Sequence, residues 1–226
     1  MALAARERGG RRADLLGISS ALWRAGANVL VFDYRGHGEL AGTPVTLGYH
    51  EVDDLRAAID EAHGRTPGLP LGVIGYSMGA SIAIMAAAHD ERVRAIVADS
   101  PFATQRSAVS RAVRRVIHVP DDLLLDAVDL LLGVVGGYHF NDVEPLRDVG
   151  ELAPRPLFLI HGTADTVTDP HDSELLYEAA GDPKDLWLAP GVAHCGAYFA
   201  DRQGYCRRVA AFFEEALTET AAQEAV

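Results

Sequence analysis

The chain has 226 residues, of which 49% are hydrophobic and 23% charged, and its formal net charge at pH 7 is −12. This length suits a single domain, residues 1–226, and the net negative charge argues against nucleic acid as a partner. No apolar run reaches the roughly 18 residues of a membrane helix, and no signal-peptide core follows Met1, so we expect a cytoplasmic protein.

The first third of the chain contains two helical patterns and one strand pattern. Residues 1–12 include four arginines and show no periodicity, so we expect an arm without regular structure. Apolar residues recur at spacings of three and four over residues 13–25, which predicts a helix that ends at Gly26. Residues 28–32 are β-branched and aromatic and predict a strand. Residues 50–62 predict an amphipathic helix with acids in its first turn.

The rest of the chain alternates strand and helix patterns. Short aliphatic runs predict further strands at residues 71–74, 94–98, 156–160 and 185–189. Helical patterns lie at residues 80–88, 172–180 and 202–217. Such alternation is typical of a mostly parallel sheet with helices on both faces. The predicted fold class is therefore α/β, with a doubly wound sheet.

One long segment interrupts this alternation. Residues 104–153 lie between two predicted strands and are rich in helix-forming and aliphatic residues. Because a compact domain rarely holds a structureless loop of that length, we interpret the segment as a small helical cap. A cap over the carboxyl ends of the strands shapes a substrate pocket. We expect its valines and leucines to be core residues first and pocket lining second.

A serine lies at the turn between the strand at 71–74 and the helix at 80–88, within Gly75-Tyr76-Ser77-Met78-Gly79. In a G-x-S-x-G strand-to-helix turn, the glycines allow a close backbone approach and the serine hydroxyl is lifted to the helix N-terminus. Backbone N–H groups there, that of Met78 among them, can stabilise an oxyanion. Ser77 is therefore the candidate nucleophile.

A serine nucleophile needs a base, and the base needs an orienting acid. Asp165 follows the end of the strand at 156–160, and His194 follows the end of the last predicted strand. Because the carboxyl ends of parallel strands share one edge of the sheet, these residues can converge on Ser77. Asp99, also just past a strand, is the alternative acid, and Asp169 lies near Asp165.

The cysteines, the histidines other than His194, and the Asp33–Arg35 turn are interpreted as structural rather than catalytic. The two cysteines, Cys195 and Cys206, lack CxxC spacing, and we expect reduced thiols, with Cys195 as an inert loop residue. The nine histidines form no ligand-spaced pair, so neither a metal nor a cofactor is implied. His161 is interpreted as a buried structural histidine. Asp33 and Arg35 are interpreted as a structural turn network.

Five motifs together resemble the α/β-hydrolase superfamily, in particular bacterial serine esterases and serine aminopeptidases. They are VLVFDYRGHG at 29–38, GYSMG at 75–79, VADSPF at 97–102, HGTADTVTDP at 161–170 and GVAH at 191–194. The resemblance covers nearly all of residues 14–217, and the order Ser…Asp…His matches that fold. It implies Ser77 as nucleophile, Asp165 as acid, His194 as general base and the Met78 N–H as an oxyanion donor.

The sequence departs from this family pattern at its front. Relatives carry two or more strands before the segment that begins near residue 14, and one of these lies in the sheet between the strands at 29–33 and 71–75. That strand ends in an H-G-x-G-type turn, which supplies the second oxyanion donor and would fall here at residues 6–10. Residues 1–5 are expected to be too short and alanine-rich to replace the strand. Either the true start lies upstream, or the hydrolase is impaired.

The expected activity is hydrolysis by acyl transfer, without a cofactor, of an ester, thioester or amide in a small molecule or peptide. A carboxylesterase is the first interpretation, because a small apolar cap suits small acyl groups. A peptidase of the aminopeptidase type is the second. A non-catalytic binding protein with a disabled oxyanion hole is the alternative from another class.

Overall fold

A computed structural model describes residues 2–5, 15–38, 42–116 and 122–224 of the chain. Its six strands are β1 (Ala2–Ala5), β2 (Val29–Val31), β3 (Leu71–Tyr76), β4 (Val93–Asp99), β5 (Leu157–Gly162) and β6 (Lys184–Ala189). They form one sheet in the order β2-β1-β3-β4-β5-β6, and every neighbouring pair is parallel. The predicted α/β class and parallel sheet are confirmed.

The expectation that residues 1–5 could not supply a strand is wrong. Ala2–Ala5 lies between β2 and β3, with Leu3 in register with Leu30 on one side and Val73 on the other. Small side chains do not prevent this pairing, since a central parallel strand is held by backbone hydrogen bonds on both sides. The predicted turn at residues 6–10 and the arginine-rich part of residues 1–12 lie outside the described residues.

Helices cover both faces of the sheet. They are α1 (Leu16–Arg24), α2 (Glu51–Arg65), α3 (Met78–Ala88), α4 (Gln105–Arg114), α5 (Asp122–Leu131), α6 (Pro145–Asp148), α7 (Pro170–Ala179), α8 (Ala197–Ala200) and α9 (Arg202–Glu224). Alternate residues of the strands face two separate cores. On β3, for example, Val73 packs with α2 and α3, whereas Ile74 packs with α1 and α9. Helix α3 is buried from Met78 to Ala87, which explains why its sequence is apolar and rich in alanine.

The helix predictions are confirmed in type and shifted at their ends. Helix α1 begins at Leu16 rather than at residue 13, and residues 13–14 lie outside the described part. Helix α9 continues to Glu224, beyond the predicted end at residue 217. Polar residues in the last turns of a surface helix give no sequence signal for its end, so boundaries of this kind are weakly predicted.

The insertion at 104–153 is helical, as expected. It contains α4, α5 and α6, a π-helical turn at Leu132–Gly136 and 3₁₀ turns at Phe140–Asp142 and Val149–Leu152. Its aliphatic residues are not mainly core, and that prediction is wrong. Leu125 is buried, but Leu123, Leu130, Leu131, Val134 and Val135 are exposed, Leu123 to 83%. The reason is that α5 buries only Leu125, and the π-helical turn that follows it buries no residue.

Candidate active site

The turn between β3 and α3 presents Ser77 in a strained backbone conformation. Ser77 has a φ of 52°, in the left-handed region that non-glycine residues rarely adopt. Its N–H donates to the Asp99 carbonyl oxygen over 2.8 Å, which ties the turn to the end of β4. A Cβ on Gly75 would lie 2.2 Å from the Gly79 carbonyl oxygen, so only glycine fits there. These features match a nucleophile elbow.

The structure brings the three predicted site residues into one hydrogen-bonded chain. His194 Nε2 lies 2.8 Å from Ser77 Oγ, and His194 Nδ1 lies 2.6 Å from Asp165 Oδ2. Ser77 and Asp165 are buried, and the His194 side chain is nearly so. A neutral imidazole that donates from Nδ1 to the carboxylate leaves Nε2 to accept the serine proton. The chain can therefore move a proton from Ser77 to His194.

The Asp165 carboxylate is held by more donors than His194 alone. Its Oδ1 accepts from the N–H groups of Val167, at 2.6 Å, and Thr168, at 3.1 Å. Its Oδ2 lies 3.0 Å from Thr168 Oγ1 and 3.2 Å from His161 Nε2. Burial alone would raise the pKa of Asp165, but hydrogen bonds from His161, His194 and Val167 outweigh it and hold the pKa well below its usual range. The acid is therefore ionised at neutral pH.

The alternative acid, Asp99, contacts a different group of residues. Its Oδ2 lies 2.9 Å from the Tyr205 hydroxyl, which lies 3.2 Å from the Tyr76 hydroxyl, and its Oδ1 accepts from Ser100 Oγ at 2.9 Å. Burial raises its pKa to about 6, and the bonds from Tyr205 and Ser100 oppose that rise. Since His194 Nδ1 contacts Asp165, the geometry supports Asp165 as the acid.

Of the two predicted oxyanion donors, only the Met78 N–H lies within the described residues. Met78 is the first residue of α3, so its N–H lies outside the internal hydrogen-bond ladder of the helix. That is the position from which it can stabilise charge on a bound carbonyl oxygen. The second donor expected at residues 6–10 falls outside the described part of the chain.

The cap is linked directly to the acid loop. The Arg111 guanidinium on α4 pairs with the Asp169 carboxylate, and it donates to the carbonyl oxygens of Asp165, at 3.3 Å, and Thr166, at 3.4 Å. Asp169 also caps α7, accepting from the His171 N–H at 3.1 Å. Arg111 therefore connects the cap to the residues that position the acid.

The turn after β2 and the residue after His194 have structural contacts in this geometry. Arg35 forms a bidentate ion pair with Asp54 on α2, which fixes the turn after β2. His37 is buried and its Nδ1 lies 2.8 Å from the Arg35 carbonyl oxygen. Cys195 is buried beside His194 and has a φ of 48°. Within the described ranges, no group of three or more His, Cys, Asp or Glu side chains could hold a metal ion.

Besides Arg111, sequence reasoning missed Thr168 and Ser100, which also contact this site. Thr168 places its hydroxyl near Asp165, and Ser100 accepts from the Cys195 N–H at 3.2 Å. Both lie inside motifs that the family resemblance had singled out, at 161–170 and 97–102. Their roles depend on contacts across strands, which spacing along the chain does not reveal.

In the described part of the chain, no single helix is long and apolar enough to cross a membrane. One bent pair, Asp122–Gly136 with Phe140–Leu152, passes the same test of length and composition. This pair belongs to the cap insertion.

The chain is similar to a hydrolase family model and to two uncharacterized bacterial proteins. Residues 11–127 match the family model described as serine aminopeptidase, S33. The uncharacterized protein YqkD of Bacillus subtilis is 32% identical over 193 residues, which is 84% of this chain and 63% of YqkD. The uncharacterized protein YfhR of Escherichia coli K12 is 32% identical over 181 residues, 78% of this chain and 56% of YfhR. The chain thus spans less than two thirds of the length of these relatives.

Among solved structures, the Pyrococcus furiosus esterase Pf2001 superposes with a TM-score of 0.78 at 25% sequence identity. The match covers 96% of this chain and 82% of the esterase. An esterase domain from a Rhodothermus marinus protein matches with a TM-score of 0.68 at 22% identity and indicates the fold alone.

Proposed function

The chain belongs to the serine aminopeptidase S33 family of the α/β-hydrolase superfamily, and from this premise we propose that it is a serine hydrolase that cleaves carboxylic esters through an acyl-enzyme on Ser77. The observation that carries the proposal is the continuous hydrogen-bonded chain from Ser77 Oγ through His194 to Asp165. Similarity to the Pf2001 esterase favours an ester as the bond that is cleaved.

The proposed acylation step begins when His194 Nε2 accepts the Ser77 proton. Ser77 Oγ then attacks the carbonyl carbon of the ester, and the carbonyl oxygen becomes an oxyanion that the Met78 N–H stabilises. The tetrahedral intermediate collapses, and the C–O bond to the leaving group breaks. His194, now doubly protonated and oriented by ionised Asp165, gives its proton to the departing alkoxide.

Deacylation repeats these steps with water. His194 Nε2 removes a proton from a water molecule, whose oxygen attacks the acyl carbon bound to Ser77 Oγ. Collapse of the second intermediate releases the carboxylic acid, and the proton returns from His194 to Ser77. None of these reaction steps changes an oxidation state. The substrate that we propose is a small-molecule ester encountered in the cytoplasm.

An amide is the second proposed substrate, because the family model carries the description serine aminopeptidase. The same residues cleave an amide if His194 protonates the leaving nitrogen. Comparing p-nitrophenyl esters with aminoacyl p-nitroanilides separates the two, and we expect the esters to be turned over faster.

The test of the proposal is turnover of p-nitrophenyl acetate and butyrate by the full chain, together with labelling by a fluorophosphonate probe. Ser77→Ala is expected to abolish labelling and to lower turnover by at least about 10⁴-fold. Ser81→Ala is the matched control, because Ser81 is a buried serine in the first turn of α3, close to Ser77, and its hydroxyl bonds the Phe102 backbone. Well-folded wild-type protein that neither labels nor turns over either ester would leave the non-catalytic alternative.

A further inference from the structure

Ser100 occupies an unusual position at the end of β4. It is fully buried and has a φ of 57°, so a residue with a Cβ is held in the left-handed region. Its N–H donates to the Ile160 carbonyl oxygen over 2.8 Å, which continues the pairing of β4 with β5. A strained conformation of this kind persists where surrounding contacts determine it.

The Ser100 hydroxyl makes two directional contacts. It donates to Asp99 Oδ1 at 2.9 Å, and its oxygen accepts from the Cys195 N–H at 3.2 Å. The Asp99 carboxyl is itself fixed by Tyr205. Because the single hydroxyl proton points to Asp99, the oxygen lone pairs are left to accept from Cys195. The backbone directly after His194 is therefore fixed by Ser100.

Asp99 and Ser100 also contact the loops that carry Ser77 and Asp165. The Asp99 carbonyl accepts from the Ser77 N–H at 2.8 Å. The Ser100 carbonyl lies 3.2 Å from Thr168 Oγ1, which in turn lies 3.0 Å from Asp165 Oδ2. One buried dipeptide thus contacts the loops of all three members of the hydrogen-bonded chain.

We propose that Ser100 is a positioning residue of this hydrolase, whose hydroxyl fixes the His194 loop relative to Ser77 and Asp165. The proposal rests on the proposed function of that site. It is independent of substrate identity, because Ser100 is buried and acts on the backbone beside His194. Its consequence is that loss of the hydroxyl slows the chemical step and leaves substrate binding largely unchanged, since a displacement of about 1 Å costs up to about 10²-fold in rate.

The experiment compares two variants that lack the hydroxyl. Ser100→Ala keeps a Cβ in the left-handed region, and Ser100→Gly removes both the hydroxyl and the backbone strain. Ser81→Ala is the control for losing a buried serine hydroxyl that bonds the Phe102 backbone and makes no hydrogen bond to the Ser77, His194 and Asp165 side chains. The measurements are the rate constant for fluorophosphonate labelling, kcat and KM for p-nitrophenyl butyrate, and the midpoint of urea unfolding.

We expect both Ser100 variants to label and turn over about 10- to 100-fold more slowly, with KM within about twofold of wild type. The Ser81→Ala protein is expected to label at the wild-type rate even if its unfolding midpoint falls equally. Wild-type labelling by both Ser100 variants, recovery in Ser100→Gly alone, or loss of fold in both would overturn the proposal. If the wild type itself does not label, the proposed function fails instead.

Discussion

The acid of the candidate triad contacts two imidazoles rather than one. His161 Nε2 lies 3.2 Å from Asp165 Oδ2, the same oxygen that lies 2.6 Å from His194 Nδ1. Because an ionised carboxylate can only accept, its contact with Nε2 favours the His161 tautomer that carries the proton on Nε2, and the Ser173 hydroxyl, 2.6 Å from His161 Nδ1, can then donate to that nitrogen. His161, which the sequence predicts to be structural, therefore donates to the carboxylate of the candidate acid.

The first prediction concerns this contact between His161 and Asp165. His161→Phe removes the donor, whereas His161→Gln retains an amide that can reach the carboxylate. Because a hydrogen bond to a charged group contributes about 1.5–3 kcal/mol, we expect His161→Phe to lower kcat by about tenfold or more and His161→Gln to lower it less. Initial rates with p-nitrophenyl butyrate measure this. Equal activity of the two variants would show that the donated hydrogen bond is immaterial.

The second prediction concerns the buried carboxyl of Asp99. Burial raises its pKa to about 6, against an ordinary value near 3.9 in an unfolded chain. A raised folded-state pKa means that the associated stability is fully present below about pH 4 and is lost as the pH rises to about 6. The titratable and hydrogen-bonding groups that interact with Asp99 are Tyr205, Tyr76, Ser100, His161 and His194.

Asp99→Asn removes the ionisation and keeps an oxygen that can accept from Ser100. We expect the variant to lose less unfolding free energy between pH 4 and pH 7 than the wild type, by on the order of 3 kcal/mol. Urea unfolding at several pH values measures the difference. Asp172, whose pKa burial also raises to about 6, contributes equally to both proteins and cancels. If the unfolding free energies of variant and wild type changed in parallel with pH, the raised pKa of Asp99 would be contradicted.

The third prediction concerns the link between the cap and the acid loop. Arg111 reaches the Asp165 and Thr166 carbonyl oxygens and the Asp169 carboxylate with one guanidinium. We expect Arg111→Ala to lower kcat/KM by about tenfold and Arg111→Lys to recover only part of it, because an ammonium lacks the planar fork. Arg56→Ala, which removes an exposed ion pair with Asp53, is the control and should retain full activity.

Much of the fold could be predicted from the sequence, because the spacing of apolar residues indicates which residues of a strand or helix are buried. The strand patterns at 71–74, 94–98, 156–160 and 185–189 all correspond to strands of the sheet, and Ser77, Asp165 and His194 converge because each follows a parallel strand. Strand β1 was missed because four residues are too few to show a strand pattern, and its pairing with β2 and β3 involves residues that are distant along the chain.

The parts of the site that sequence did not reveal depend on distant contacts. Ser100 and Cys195 are 95 positions apart, and Arg111 lies 54 positions from Asp165. These contacts depend on the order of the strands in the sheet and on where the cap packs against the strand ends. The spacing of residues along the chain indicates neither the strand order nor the position of the cap.

The fourth prediction concerns the glycine that opens the turn at Ser77. A Cβ on Gly75 would lie 2.2 Å from the Gly79 carbonyl oxygen and 2.7 Å from the Ala80 nitrogen, and backbone atoms cannot rotate away as a side chain can. Gly75→Ala must therefore move the first turn of α3 relative to β3, which displaces Ser77 from His194. We expect loss of fluorophosphonate labelling together with a lower unfolding midpoint.

Gly64→Ala is the matched control for that substitution, because Gly64 lies within α2 and a Cβ there has no atom within 4 Å. Since alanine is favoured over glycine in a helix by up to about 1 kcal/mol, we expect Gly64→Ala to be as stable as the wild type or slightly more stable, with unchanged labelling. Gly75→Ala protein that labels at the wild-type rate would show that the turn tolerates a Cβ. The close approach of strand and helix would then not be what places the nucleophile.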